Sequence, residues 1–477
     1  MTLSEDLAAF ASEARASHLP AAARDRVKVL LLDSLGCAIR ALQDDVARKV
    51  CDQVAEAATD GPCTALGGGR TAPHLAACQT TALTRYLDFM DGFAAKDEAC
   101  HPSDNVGAVL AAAEAAGASG RDLLAALAVA FETECRLVEE SPITQEGFDH
   151  TTQLAISIAC GAGNVLGLGR ERLAAAIGCV GASHSSLRVV RTGHLSNWKG
   201  LAASDTAMGA LWTTQLCARG VTGPREYFEG DKGYLASLAD EAPDFASWTL
   251  RGDLRIPRVF LKRHNAEIHA QSALDALLEV REGHGLSGRE VESIEVKTFR
   301  EAYTIIGGGE GDPYRVDGKD QADHSFPYVL AVAALDGEVW PEQYAPDRVR
   351  APDVQRLLRK VKVHKSRLYT RRYPEEFPNE VTLHLRDGRR LKAERSDWDG
   401  FHTRPWDFAR ARRKFERLAE PVLGRARTRE VAEAVRAIDR REVSDLTALL
   451  GQPRRRGHKR PSAGRGGHRG KESALAS

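Results

Sequence analysis

Val291–Phe299, VESIEVKTF, alternates apolar and polar residues with the two-residue period of a half-buried strand. It is the first stretch of the chain to do so convincingly. Up to about Leu261 the apolar residues recur instead at helical spacing, as in 26–42 and 123–138, with Ala-rich segments between. Ser119 and Asp122 have the spacing of a capping box opening the second of these helices, and Gly220 is suited to ending a helix that starts near Ser196. No sheet is expected in this region. Beyond Lys262 a helix over 265–281 precedes the VESIEVKTF strand, and Ser325–Leu335 reads as helix. A short alternating run closes Leu357–Val363. Val381–Leu385 and Arg389–Ala393 flank Asp387-Gly388, a hairpin signal. Helical spacing then returns over 407–420, 428–437 and 442–450. The pattern predicts a mainly α fold with a smaller α+β domain. Residues 1–262 and 397–451 form one helical domain from both chain ends, 263–396 form an inserted α+β lid, and 452–477 form a tail.

Composition agrees with a globular protein of more than one domain. The 477 residues are 43% hydrophobic and 28% charged. The 66 basic and 66 acidic side chains balance, but unevenly: PRRRGHKRPSAGRGGHRGK is strongly basic, so the remainder is acidic on balance. That Gly/Arg tail cannot bury a core and is expected to be disordered. It is the one segment suited to weak contact with RNA, and nucleic acid is otherwise not expected as a partner. No apolar run spans a bilayer, and MTLSEDLAAF lacks the basic start and apolar centre of a secretory signal, so a cytoplasmic protein is expected. The nine scattered cysteines include no CxxC pair. HExxH, a P-loop and an acidic ligand cluster are also absent, so neither metal nor cofactor is expected. GAGNVLG at 161–167 follows no strand and has the wrong spacing for a dinucleotide loop.

Chemistry concentrates in Arg85–Asn105, RYLDFMDGFAAKDEACHPSDN. An apolar helix carrying Asp88 and Asp91 is expected to run into a glycine-containing loop that ends at His101. Pro102 and Ser103 then open a new helix, whose free N–H groups and dipole favour a carboxylate and keep His101 neutral. A simple cap accounts for Ser103 or Asp104, but not for His101 with Asp91. Lys199, in NWKG, falls in the first turn of a helix, where a cation opposes the dipole; a bound anion or a buried catalytic amine would explain it. His150 also opens a helix. In the lid segment Lys262, His269, His324 and Tyr328 flank apolar helices where an interdomain cleft would form. Taken singly, each of these is as readily structural.

LLLDSLGCAI, YLDFMDGF with HPSDN, DHTTQLAIS, NWKGLA, VTGPREYFEGDKGY, KRHNAEIHAQSA and ADHSFPYVLAVAALDG together resemble the MmgE/PrpD family, in order and in spacing. The resemblance covers most of the chain and stops short of the tail. It implies a homodimer with a metal-free site between two domains, acting on small di- or tricarboxylates. It points to a hydro-lyase that dehydrates 2-methylcitrate or a similar acid in propionate catabolism, by removing a proton alpha to a carboxylate. An iminodisuccinate epimerase and a cis-aconitate decarboxylase belong to the same family and are the alternatives, beside a non-catalytic carboxylate binder. The decarboxylase branch's site maps onto Asp91, His101, Lys199 and His150, which gives Asp91 more weight than Asp88. That branch's threonine is Ala95 here, and HPSDN, with Asp104 and Asn105, resembles the dehydratases. His101 is then the candidate base and His150 or Tyr328 the acid. Ser103, Lys262, His269, His324 and Tyr328 are assigned to substrate binding.

Overall fold

Helices Ala21–Ala41, Gly120–Glu140 and Thr151–Val165 are buried around most of their circumference, so they form the centre of the molecule and not its rim. The computed structural model describes residues 2–57 and 60–451; the basic tail lies outside the described residues. The fold is mainly α with a smaller α+β part. Ser119 caps Gly120–Glu140 by accepting from the Asp122 N–H. Gly161 lies mid-helix, where a Cβ would stand 2.8 Å from both Ala126 O and Ala130 Cβ. Gly161 and Gly163 of GAGNVLG thus serve helix packing, a Cβ on Gly163 standing 2.5 Å from Leu173, whereas Gly167 follows the helix end with φ 69°.

Two hydrophobic cores divide the chain. One gathers Leu7 to Leu261 and resumes from Trp406 to Leu450; the other holds Ala266 to Phe401, joined by Ala94 and Phe260. Trp398 and Phe401, read above as part of the return segment, pack in the second core. Helix Phe408–Leu423 then lies against Ala21–Ala41. There Lys414, reaching Asp33 at 2.9 Å, also donates to the carbonyls of Phe89 and Lys262. One buried ammonium therefore ties both chain ends to the segments that enter the lid.

Two small sheets occur where none was expected. The strands β1 (Cys63–Thr64) and β2 (Arg70–Thr71) form an antiparallel pair. The strand β3 (Asp91–Ala94) pairs antiparallel with β4 (Ala99–Cys100) and with β5 (Phe260–Leu261), in the order β4-β3-β5. Every residue of β3 is buried, so no polar alternation marks it, and its partner Phe260–Leu261 is remote in sequence. The lid sheet has the order β7-β6-β8-β9, with β6 Val291–Thr298, β7 Val361–Lys365, β8 Asn379–Leu385 and β9 Arg390–Arg395. β6 and β7 are parallel; the other pairs are antiparallel. Helix Gln271–Gly283 covers β8 and β9 and packs on Phe326–Asp336. Among the described residues no helix is long and apolar enough to cross a membrane.

The return segment meets the helical core most tightly at Gly120, where a Cβ would stand 1.9 Å from Ile438 O. Backbone on both sides leaves little room to yield. Gly120→Ala should therefore lower stability by about 1–3 kcal/mol, the range for overpacking. Urea unfolding tests this, and an unchanged midpoint would refute the tight docking.

Candidate active site

Helix Pro73–Tyr86 ends just before Asp88, which is the one non-glycine residue with positive φ, 56°, among the described residues. Asp88 and Asp91 therefore do not share a helix, as the sequence suggested: the first sits in a left-handed turn and the second opens β3. A left-handed aspartate costs on the order of 1 kcal/mol and persists only where its surroundings hold it. Here three cations do so. The Asp88 carboxylate accepts from Arg85 at 2.8 Å, Lys199 at 3.0 Å and Lys262 at 2.7 Å. Burial alone would raise its carboxyl, but Lys199, Lys262 and Arg85 hold it well below the usual range. Lys199 also lies 3.4 Å from Asp323, which pairs with Lys319 at 2.6 Å.

Above this charge cluster a cavity of about 640 Å³ opens between the two parts of the molecule. Arg85, Glu98, His101, His150, Arg188 and Arg191 line it from the helical side. His269, Arg300, Glu301, Glu310, His324 and Tyr373 line it from the lid. Arg188 bridges the two sides weakly, 3.4 Å from Glu310. Arg191 is held by Asp149 at 2.5 Å.

Two of the four histidines are fixed alike. His101 Nδ1 lies 2.8 Å from the Asp91 carbonyl oxygen. A carbonyl only accepts, so Nδ1 carries the proton and Nε2 keeps a free lone pair. His269 Nδ1 lies 2.7 Å from Glu267 and donates to it, whereas His324 Nδ1 stands between the Asp323 carboxylate at 2.7 Å and the Lys199 ammonium at 3.0 Å. Nε2 of His269 is buried without a hydrogen-bond partner among the described residues. Burial, then the positive charges of Arg85 and Lys262, push His101 well below its ordinary value. Burial lowers His150 to about 3, and its ring meets that of His101 edge-on at 5.7 Å. Both imidazoles are neutral at pH 7.

The remaining predicted residues stand behind the cavity wall. The Asp91 carboxylate accepts from the Ser103 hydroxyl at 2.6 Å and from its N–H at 3.1 Å. The helix start predicted to bind a substrate carboxylate is thus occupied by Asp91, and Ser103 is fully buried. Asp91 orients His101 through its main-chain carbonyl, not its side chain. Lys199 and Lys262 are spent on Asp88, so the anion inferred beside Lys199 is the protein's own. Tyr328 donates to the Gln343 carbonyl inside the lid core and does not line the cavity. Asp88, Asp323 and His324 place possible metal-ligand atoms within 4.8 Å of one another. Ammonium groups of Lys199, Lys262 and Lys319 already engage those carboxylates, so the trio is suited to ion pairing and not to a divalent cation.

The family model for the MmgE/PrpD N-terminal domain matches residues 5–246, and that for the MmgE/PrpD C-terminal domain matches 264–440. The chain belongs to the MmgE/PrpD family. It is 26% identical to 2-methylcitrate dehydratase of Escherichia coli (strain K12), over 78% of this chain and 80% of the relative. It is 27% identical to alkylcitrate dehydratase phiI of Fungal sp. (strain ATCC 74256), over 90% of each chain. The probable 2-methylcitrate dehydratase of Saccharomyces cerevisiae (strain ATCC 204508 / S288c) is 25% identical, over 77% of this chain.

In this MmgE/PrpD protein the sequence reading missed Glu98, and it ranked Asp88 below Asp91. KDEAC reads as a solvated acidic turn, yet Glu98 is buried in the cavity wall. No spacing signal marks it. Asp88 carried a usable signal in the number of buried cations the chain must neutralise, Lys199 and Lys262 among them. Asp88→Asn would take from Lys262 its paired carboxylate and from Lys199 and Arg85 their nearest one, and should cost about 3–5 kcal/mol. Asp45→Asn, which breaks the exposed pair with Arg48, should leave the denaturation midpoint in place. Equal midpoints for the two variants would show that Asp88 is not the hub of the site.

Proposed function

We propose that this chain is a hydro-lyase that removes water from 2-methylcitrate or a homologue with another alkyl group, giving the unsaturated tricarboxylate. One observation carries the reading. In a chain aligned over nine-tenths of its length with an alkylcitrate dehydratase, a neutral imidazole keeps its Nε2 lone pair toward an interdomain cavity. Such a lone pair is the base that elimination requires.

In this reading His101 takes the proton alpha to a substrate carboxylate. His269 and His324 meet substrate carboxylates through Nε2, and the approach of an anion raises their affinity for a proton and turns them into donors. Arg85 and the arginines at the rim supply the positive field that the developing enediolate needs. Lys199 and Lys262 act as positioning residues through Asp88, Asp91 positions His101, and Tyr328 braces the lid. His150 confines the His101 ring from the side. Ala95 is buried at the hairpin turn, its N–H donating to the Glu98 carbonyl at 2.8 Å. No threonine hydroxyl is available there, which argues against decarboxylation. With this substrate the chain serves propionate breakdown.

A homodimer is part of the proposal. Leu187, Val189, Trp198, Trp212 and Val221, all about half exposed or more, fall in one stretch of chain. Large apolar residues exposed together are what an obligate interface would cover.

Four outcomes are expected. A panel of 2-methylcitrate, citrate and longer alkylcitrates, followed by absorbance of the unsaturated acid, should show turnover of an alkylcitrate; an inert enzyme would sink the reading. His101→Gln should keep the fold and lose about 10²–10⁴ in kcat. Because the His101 value is depressed, kcat/KM should fall on the acid side only well below pH 6.5. An acid limb at or above pH 6.5 would point to another base. Trp212→Glu should shift the mass in solution from dimer to monomer, and light scattering decides this.

A further inference from the structure

The base accounts for half of an elimination, since hydroxide is a poor leaving group and needs a proton. The four histidines have other parts in that reading. His101 and His150 are neutral at pH 7, and His269 and His324 are assigned there to the substrate carboxylates. Glu98 stands three residues before His101, at the turn of the β3–β4 hairpin that delivers both side chains to one cavity. Its Oε2 accepts from the Ile143 N–H at 2.8 Å. Its Oε1 is buried and has no hydrogen-bond partner among the described residues. An ionised carboxylate with an oxygen left in that state is costly, and the neutral carboxylic acid is less so.

We propose that Glu98, which lines the same cavity as His101, is the proton donor to the departing hydroxyl. The inference rests on the dehydratase reading above. Nε2 takes the proton from carbon, and the C–H electron pair becomes the new π bond. The C–O bond breaks with its pair on oxygen, which takes the Glu98 proton and leaves as water. Imidazolium and carboxylate remain, and solvent returns the proton from one to the other once product has gone.

Burial pushes the Glu98 carboxyl up to about 8, against the pull of the Ile143 N–H and of the Thr144 hydroxyl. Of the charged groups on elements packed against it, Asp149 opposes ionisation and Arg188 favours it, and the nearby Tyr234 phenol stays neutral. Burial thus leaves the base unprotonated and the acid protonated at the same neutral pH. Raising the pH through 8 removes the proton to be donated, so activity should decline there.

The test compares wild type, Glu98→Gln and Glu98→Asp on the alkylcitrate that the panel identifies. Wild-type kcat/KM should show an alkaline limb near pH 8. Glu98→Gln, folded by circular dichroism, should lose about 10²–10⁴ in kcat at pH 7 with KM changed less than three-fold. Its residual rate should be flat from pH 7 to 9. A folded Glu98→Gln that loses less than ten-fold, or that keeps the alkaline limb, overturns the assignment. If Glu98→Gln does not fold, Glu98→Asp decides: a displaced alkaline limb supports the role, and an unmoved limb refutes it. A wild type inert toward the whole panel would instead strike the dehydratase reading itself.

Discussion

A single carboxylate, that of Asp88, holds together what would otherwise be a mutually repelling cluster of buried cations. Arg85 comes from the helix before it, Lys199 from the turn Asn197–Gly200, and Lys262 from the strand that leads into the lid. Each is desolvated, and none could remain charged in such a place without an anion at contact distance. Asp88 adopts a backbone conformation that aspartate ordinarily avoids in order to meet all three. The strain is small beside the cost of an unpaired buried charge. The cavity floor, the hinge into the lid and the wall behind His101 are consequently parts of one ionic construction.

That construction sets the protonation of the groups above it. His101 lies in the positive field of Arg85 and Lys262, which reinforces burial in keeping it neutral. Burial has the opposite sense for acids: Glu98 is raised to about 8 and Asp91 to about 7. One desolvated environment therefore produces a free base and a bound proton a few residues apart.

Much of the architecture was legible because it rests on periodicity. The lid strands alternate, the Asp387-Gly388 hairpin carries its own turn signal, and the returning helices repeat the spacing of the first. The β4-β3-β5 sheet was invisible for a physical reason. Its strands have two to four residues, are buried on both faces, and include a partner, Phe260–Leu261, supplied by a distant part of the chain. The histidines could be found at helix starts and motif edges, where backbone geometry leaves a local trace. Ser103, Lys262 and Tyr328 were assigned to substrate because a sequence shows that a polar group is present but not which protein group already satisfies it. Glu98 was missed for the converse reason: an acidic turn looks solvated until the lid and the Ile143–Asp149 loop are seen to enclose it. Asp88 and Asp91 were ranked by which of them the family motif marks, whereas their roles depend on the groups each one meets.

The Lys414 ammonium adds a condition on the order in which this molecule can be made. It contacts Asp33, the Phe89 carbonyl beside Asp88 and the Lys262 carbonyl, yet it belongs to a helix more than 400 residues into the chain. Until that helix has left the ribosome, Asp33 is an unpaired acid and the groups behind the pocket lack their fastener. The lid, whose core closes within Ala266–Phe401 apart from Ala94 and Phe260, can condense earlier. A chain short of that helix can carry a nearly complete lid over an unfinished floor. Joining the two chain ends under the active site ties the pocket to the last segment made.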